Sequence, residues 1–316
     1  MYVLAGGSNM DGRANADELT ARNLERVRNA SARVRLSYIG GFDPAMNMNI
    51  SASRYSGPLS SVVPNDLLAG KFLLNRSFGP ELFFGTTLAE DNPTDRFKLV
   101  KHAFGGSRLI NASWTEPHSH TVPALRAMSE WSPGDWRARE IERKGLRLPR
   151  GTFRTSAATG SGESYEGLIQ DVLERLRNDE SSVLSGVLWV HGEIECRDPE
   201  AAGDYAGALA ELVAGMRSDL GMPELPFAML MPWPYAHLVP ALPEFLSGLH
   251  ALERDLPHFQ LVRATNASPL EVYGDRYPSL EESPFAADAP DVFNHYTEAG
   301  MRAAGELLAR HVRVDW

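Results

Sequence analysis

Tyr2-Val3-Leu4-Ala5-Gly6-Gly7-Ser8-Asn9-Met10-Asp11-Gly12 is the stretch from which the fold is read. Its apolar run is too short for a helix and breaks at two glycines and a serine. The plain reading is a Gly-Ser turn. The richer reading is a strand that ends at the mouth of a sheet. There the glycines permit a tight turn and close approach, and the serine hydroxyl is presented outward. The segments downstream favour the second.

They alternate. Short β-prone runs occupy Tyr2–Ala5, Arg33–Ile39, Phe97–Phe104, Val183–Val190, Phe227–Met231 and Phe259–Ala264. Between them, helical spacing marks Asp17–Asn29, Pro80–Glu90, Tyr165–Arg177, Tyr205–Leu220 and Pro240–Arg254, with a last helix over Thr297–His311. Pro80 suits a first helical turn, and Glu81 puts a carboxylate against the helix dipole. Strand, helix, strand, helix predicts a mainly parallel sheet covered on both faces, a three-layer α/β/α sandwich. Sites in such sheets lie beyond the carboxyl ends of the strands. We find no repeat and no linker, so residues 1–316 are read as one domain. Two long connections, Gly40–Pro64 and Trp131–Glu163, are read as inserted loops near the site.

Composition narrows the function. Hydrophobic residues make up 43% and charged residues 23%, which is ordinary for a soluble globular chain. A formal net charge of -10 argues against nucleic acid or an anionic membrane surface as partner. The single cysteine, Cys196, excludes an intramolecular disulfide and is read as a passive thiol. No signal-peptide pattern precedes the first strand, so a cytoplasmic location is expected. The apolar stretch Leu225–Leu242 is broken by Pro226, Pro232, Pro234 and Pro240, which rules out a membrane helix there.

Four strand ends or late segments carry chemistry. They read Gly7-Ser8-Asn9, Gly105-Gly106-Ser107, His191-Gly192-Glu193 and Asp291-Val292-Phe293-Asn294-His295-Tyr296. Together they supply a nucleophile, close-approach glycines, a polar group beside a glycine and an Asp/His pair, which are the parts needed for acyl transfer.

These blocks carry a resemblance. GGSNMDG resembles the GQSNM-G block of the SGNH hydrolases, specifically the sialate O-acetylesterase and acetylxylan esterase group, carbohydrate esterase family six. FGPELFFGTTLAE, KHAFGGS, GVLWVHGEIE, LPFAML and DVFNHYTEAG resemble further blocks of that group, in the same order along the chain. The resemblance implies an SGNH, flavodoxin-like fold and a serine esterase that removes O-acetyl groups from a carbohydrate, with no cofactor and no metal. It assigns Ser8 as nucleophile, His295 as general base and Asp291 as the acid that orients it. The oxyanion hole falls to the backbone N–H groups of Ser8 and of Gly106 or Gly105. His191 stands where the group has a Gln that donates to the oxyanion. Asn9 and Glu193 are expected to contact substrate, and Glu193 is given no proton-transfer role. There are departures. Gly7 replaces a Gln, Ile194-Glu195 replaces Ser-Asp, and Asp291 and His295 are four apart where the group has three. Asp288 is the alternative partner for His295.

Other signals have plainer readings. Gly7 to Gly12 followed by Arg13 is close to a phosphate-binding loop, but Arg13 and Ala14 replace its Lys and hydroxyl residue. His118 and His120 lack a third metal ligand nearby in sequence. Trp189 and Trp114 are read as packing or loop residues. Two rival functions remain at this point. One is an esterase or thioesterase acting on a non-carbohydrate ester, since a fold does not fix its substrate. The other is a catalytically weak carbohydrate-binding relative. The sugar and the oligomeric state are not specified by these residues.

Overall fold

The computed structural model of the chain describes residues 1–42, 53–61, 76–105, 107, 109, 163–193, 195–197, 199–232, 241–264, 270–272 and 295–314. Among these, seven strands form one sheet. They are β1 (Tyr2–Gly6), β3 (Val34–Phe42), β4 (Ser53–Pro58), β6 (Phe97–Gly105), β7 (Gly186–Val190), β8 (Phe227–Leu230) and β9 (Phe259–Val262). Two-residue strands β2 (Ala14–Asn15) and β5 (Ser77–Phe78) pair separately. The main order is β4-β3-β6-β1-β7-β8-β9. Within this sheet every pairing is parallel except that of β3 with β4.

The chain leaves β1 toward β3 on one side, returns through β6, and then crosses to β7 on the other side. The order therefore reverses at β1. A crevice forms at such a point, outside the carboxyl ends of the strands.

The helices are α1 (Ser8–Asp11), α2 (Ala21–Ala30), α3 (Glu81–Asp91), α4 (Glu163–Asn178), α5 (Pro199–Asp219), α6 (Leu242–Asp255) and α7 (Glu298–Val314). Strand side chains alternate between two cores. Val3, Ala5, Val100, Val187 and Trp189 face the core built with α4, α5 and α6. Leu4, Leu99, Ala103, Leu188 and Val190 face the core built with α2, α3 and α7. A central sheet buried on both faces explains why the strands read as apolar runs rather than as alternating polar and apolar residues.

Local rules explain where the helix boundaries fall. The first expected helix begins later than Asp17, because Thr20 Oγ1 accepts from Asn23 N at 3.2 Å and caps α2. Asp17 instead lies in a short 3-10 turn. The fourth begins earlier than Tyr205, at Pro199, where proline suits the first turn and Ala201 and Ala202 become buried. One strand of the seven-stranded sheet went unforeseen, as did the short pair β2 and β5. Within the connection expected over Gly40–Pro64, Ser53–Pro58 forms β4, an antiparallel edge strand on β3. The connection over 131–162 lies outside the described residues.

The close of β1 depends on one glycine. Gly6 has φ +146°, and a Cβ there would fall within the carbonyl of Val190 on β7. Gly6→Ala is expected to lower unfolding stability by at least about 1–3 kcal/mol, the range for such backbone strain. Chemical denaturation of the variant checks this, and a wild-type midpoint would contradict it.

Candidate active site

Ser8 is the first residue of the helical turn α1, directly beyond β1. It is half-buried, whereas Asn9, Met10 and Asp11 behind it are fully buried. Its backbone N–H has no acceptor within the helical turn, as is general for a first helical position. The Ser8 Oγ lies 2.9 Å from His295 Nε2. The two residues are 287 positions apart in the chain, so only the fold joins them.

Asn9 fixes that meeting. Its Oδ1 accepts from Tyr296 N at 3.1 Å, and its Nδ2 donates to Glu193 Oε1 at 2.8 Å. One amide side chain thus ties the turn after β1 to the loop after β7 and to the backbone next to His295. Tyr296 also bridges Val272, and Thr297 N donates to Glu271 O at 3.0 Å. Thr297 then caps α7, its Oγ1 accepting from Gly300 N at 3.2 Å. The segment that follows His295 is therefore anchored both to Asn9 and to the backbone of Glu271 and Val272.

Asn9, expected to contact substrate, is turned into the protein. Asn9 is 1% exposed and both ends of its amide are engaged within the protein. Glu193, half-buried, is one of those partners, so its first duty is to hold Asn9.

His191 also sits differently from its expected role. It follows β7 and lies beside Gly7, whose Cβ, if present, would be 3.4 Å from His191 Cδ2. That distance is an ordinary van der Waals contact, so Gly7 and the His191 ring are near neighbours. The His191 Nε2 lies 3.1 Å from the Ser107 carbonyl oxygen, and Nδ1 lies 3.2 Å from Tyr205 OH. With both nitrogens paired inside the protein, the ring has no N–H left for an oxyanion in this arrangement. Of the expected oxyanion amides, Ser8 and Gly105 stand at the ends of neighbouring strands β1 and β6. Gly106, Asp288 and Asp291 lie outside the described residues, as do Trp114, His118 and His120.

A layer that the sequence did not reveal supports the turn from behind. Lys101, on β6, donates from Nζ to the Asp11 carbonyl at 2.8 Å and pairs with Glu81 Oε2 at 2.7 Å. Glu81 Oε1 accepts from Gly79 N at 2.9 Å. The carboxylate expected merely to favour the dipole of α3 thus also neutralises a buried lysine. Asp11 pairs with Arg13 and accepts from Tyr38 OH at 2.5 Å. Burial, and then the Asp11 charge, push the Tyr38 phenol well above its ordinary pKa, so it remains a donor. Arg13 is 1% exposed and also donates to the Gly12 carbonyl at 3.1 Å. It is turned inward, which removes the phosphate-loop reading.

A Ser–His pair beyond the carboxyl ends of a doubly covered parallel sheet has the parts for acyl transfer. The chain belongs to the carbohydrate esterase family described as sialic acid-specific acetylesterase, whose model matches residues 1–268, and it is a carboxylic ester hydrolase. His295 lies beyond the matched residues, so its pairing with Ser8 is an independent observation. Two solved structures share the fold. NanS aligns with TM-score 0.57 and 15% identity, covering 99% of this chain and 96% of its own. A protein from Arabidopsis thaliana aligns with TM-score 0.55 and 16% identity, covering 99% and 97%. No curated protein sequence matches the chain. Among the described residues no helix is long and apolar enough to cross a membrane.

Lys101→Ala would leave Glu81 buried without its cation, which typically costs about 3–5 kcal/mol. Denaturant unfolding should show a loss of that order. Lys101→Met combined with Glu81→Leu should recover much of it, since an apolar pair of similar volume avoids the desolvation cost.

Proposed function

We propose that the protein removes O-acetyl groups from a carbohydrate through an acyl-enzyme on Ser8. The observation that carries this reading is the 2.9 Å contact between Ser8 Oγ and His295 Nε2 in a member of a carbohydrate esterase family. A hydroxyl is a weak nucleophile at neutral pH and needs a base within hydrogen-bond reach. His295 takes the Ser8 proton as Oγ attacks the acetyl carbonyl. The proton then passes to the sugar oxygen as the C–O bond breaks. Water, deprotonated by His295, attacks the acetyl-serine and frees acetate.

The negative charge on the carbonyl oxygen needs donors already in place. The Ser8 N–H and the amides of Gly105 and Gly106 are assigned that task. Asp291 is assigned to accept from His295 Nδ1, which holds the ring in the tautomer whose Nε2 faces Ser8. The family description supports an acetylated sugar, with O-acetylated sialic acid the first to try. The intact Ser–His contact favours catalysis over a binding-only relative, and among hydrolytic readings the family favours a sugar over an unrelated ester.

Acetate release from a panel of O-acetylated sialic acids, acetylated xylan and a simple aryl acetate tests the substrate class. The expected result is turnover of the sugars with higher kcat/KM than the aryl ester. Preference for the aryl ester would move the reading to a general esterase. Ser8→Ala should abolish labelling by a fluorophosphonate and lower turnover by roughly three decades or more. Labelling that persists would remove Ser8 from its role.

Asp291→Asn should lower kcat by on the order of 10²–10⁴, as expected when a base histidine loses its orienting acid. Asp288→Asn should leave kcat close to wild type. The reverse pattern would transfer the role to Asp288.

A further inference from the structure

The loop after β7 carries two buried groups that the proposed reaction does not use. His191 is 2% exposed and Glu195 is 3% exposed. They project from one turn, closed by Cys196 N donating to Gly192 O at 3.1 Å. Both reach the same neighbouring segment. His191 Nε2 meets the Ser107 carbonyl at 3.1 Å, and Glu195 Oε1 accepts from Leu109 N at 2.8 Å. Ser107 and Leu109 belong to the segment that leaves β6 at Gly105, where the oxyanion amides are assigned.

We propose that Glu195, together with His191, is a positioning residue that clamps this segment at two backbone points and so aims its amides at the carbonyl attacked by Ser8. The proposal rests on the Ser8–His295 reading.

Proton accounting supports the clamp. A carbonyl only accepts, so His191 Nε2 carries the hydrogen. The Trp189 indole N–H only donates, so Tyr205 oxygen accepts it, at 3.0 Å. The Tyr205 proton is then available to His191 Nδ1, which accepts when the ring is neutral. Burial, and then the charge of Glu195, push the Tyr205 phenol well above its ordinary pKa, so it keeps that proton. The imidazole is further held between two rings. It stacks on Trp189 at 5.0 Å and 28°, and on Tyr205 at 5.9 Å and 15°. Its plane and its tautomer are both set by the core built on α5.

Glu195 acts at the second point. Its Oε1 serves Leu109, and Oε2 lies 3.8 Å from His191 Nδ1. Among the described residues Oε2 accepts no hydrogen bond. Burying a carboxyl group is costly unless it is hydrogen-bonded, and the bond from Leu109 N is the one that the Glu195 carboxylate makes among the described residues. A charge-assisted bond to a backbone N–H is stronger and shorter than a neutral one. Such a bond resists displacement of the segment while an oxyanion forms beside it.

Steady-state kinetics on an acetyl ester, with thermal melting of each variant, tests the clamp. Glu195→Met fills a similar volume but offers no strong acceptor, and Glu195→Gln restores a carbonyl acceptor. Glu195→Met should lower kcat by roughly 10–10²-fold, the scale of a loss from misplacing catalytic groups by about 1 Å. Its KM should stay within about threefold, as expected when only transition-state contacts weaken. Inhibition by a simple boronic acid, which forms a tetrahedral adduct on a nucleophilic serine, should weaken alongside kcat. Glu195→Gln should recover most of both. Adding His191→Ala to Glu195→Met should cost little more, because either lesion frees the same segment.

Wild-type kcat in Glu195→Met, or losses that multiply in the double variant, would overturn the clamp. If Glu195→Met does not fold, His191→Ala and His191→Gln read the other anchor. Loss with alanine and recovery with glutamine, at constant KM, supports the clamp, and wild-type kcat in the alanine variant overturns it. Ser8→Ala is run alongside. If Ser8→Ala is inactive and the clamp variants are normal, only the clamp fails. If Ser8→Ala stays active, the underlying nucleophile assignment fails instead.

Discussion

The Asn9 side chain is the constraint on which this site depends. A carboxamide has one acceptor and one donor group, and here they face opposite ways into two loops. The acceptor holds the backbone of Tyr296 and the donor holds Glu193. Each buried hydrogen bond contributes only on the order of 1 kcal/mol net. Its geometric effect is larger. It forces the turn after β1, the loop after β7 and the entry to α7 to a common point, with Ser8 and His295 as neighbours of the joined residues. Leaving either end of a fully buried amide unpaired would carry a desolvation cost, so the joint is specified as well as stabilised.

Behind that joint lies a set of charges with no access to water. Lys101, Glu81, Asp11 and Arg13 are each at most 1% exposed. Such a group is weak evidence for net stability, because desolvation offsets much of the attraction. It does make the local backbone hard to move. Lys101 holds the Asp11 carbonyl at the end of α1 and, through Glu81, the start of α3. α3 in turn packs against α7, which begins just after His295. The serine turn and the histidine segment thus share one rigid foundation.

Much of the architecture was legible because its causes are local. Six strands and six helices followed from apolar runs, helical spacing and turn residues. β4 did not. Ser-Arg-Tyr-Ser-Gly-Pro has a single apolar side chain, Tyr55, to pack against the core, and as an edge strand it pairs with β3 through backbone groups. The ionic layer was hidden for a different reason. Lys101 sits in an apolar strand and Glu81 at a helix start, and each has an ordinary local reading. Their pairing depends on β6 passing beneath the start of α3.

The sequence by itself determined the strand-to-turn geometry at Ser8, the doubly covered sheet and the identity of the residues able to do acyl chemistry. These are set by backbone sterics and by residue spacing over a few positions. Tertiary structure decided which partners those residues keep. His191 was legible as a polar group at a strand end, yet whether its ring faces an oxyanion or the Ser107 carbonyl depends on Tyr205, Trp189 and the segment after β6. Asn9 was legible beside the nucleophile, yet its burial follows from loops 184 and 287 residues away. A hydrogen bond is made only at contact distance, and contact between distant segments exists only once the sheet has brought its strand ends together.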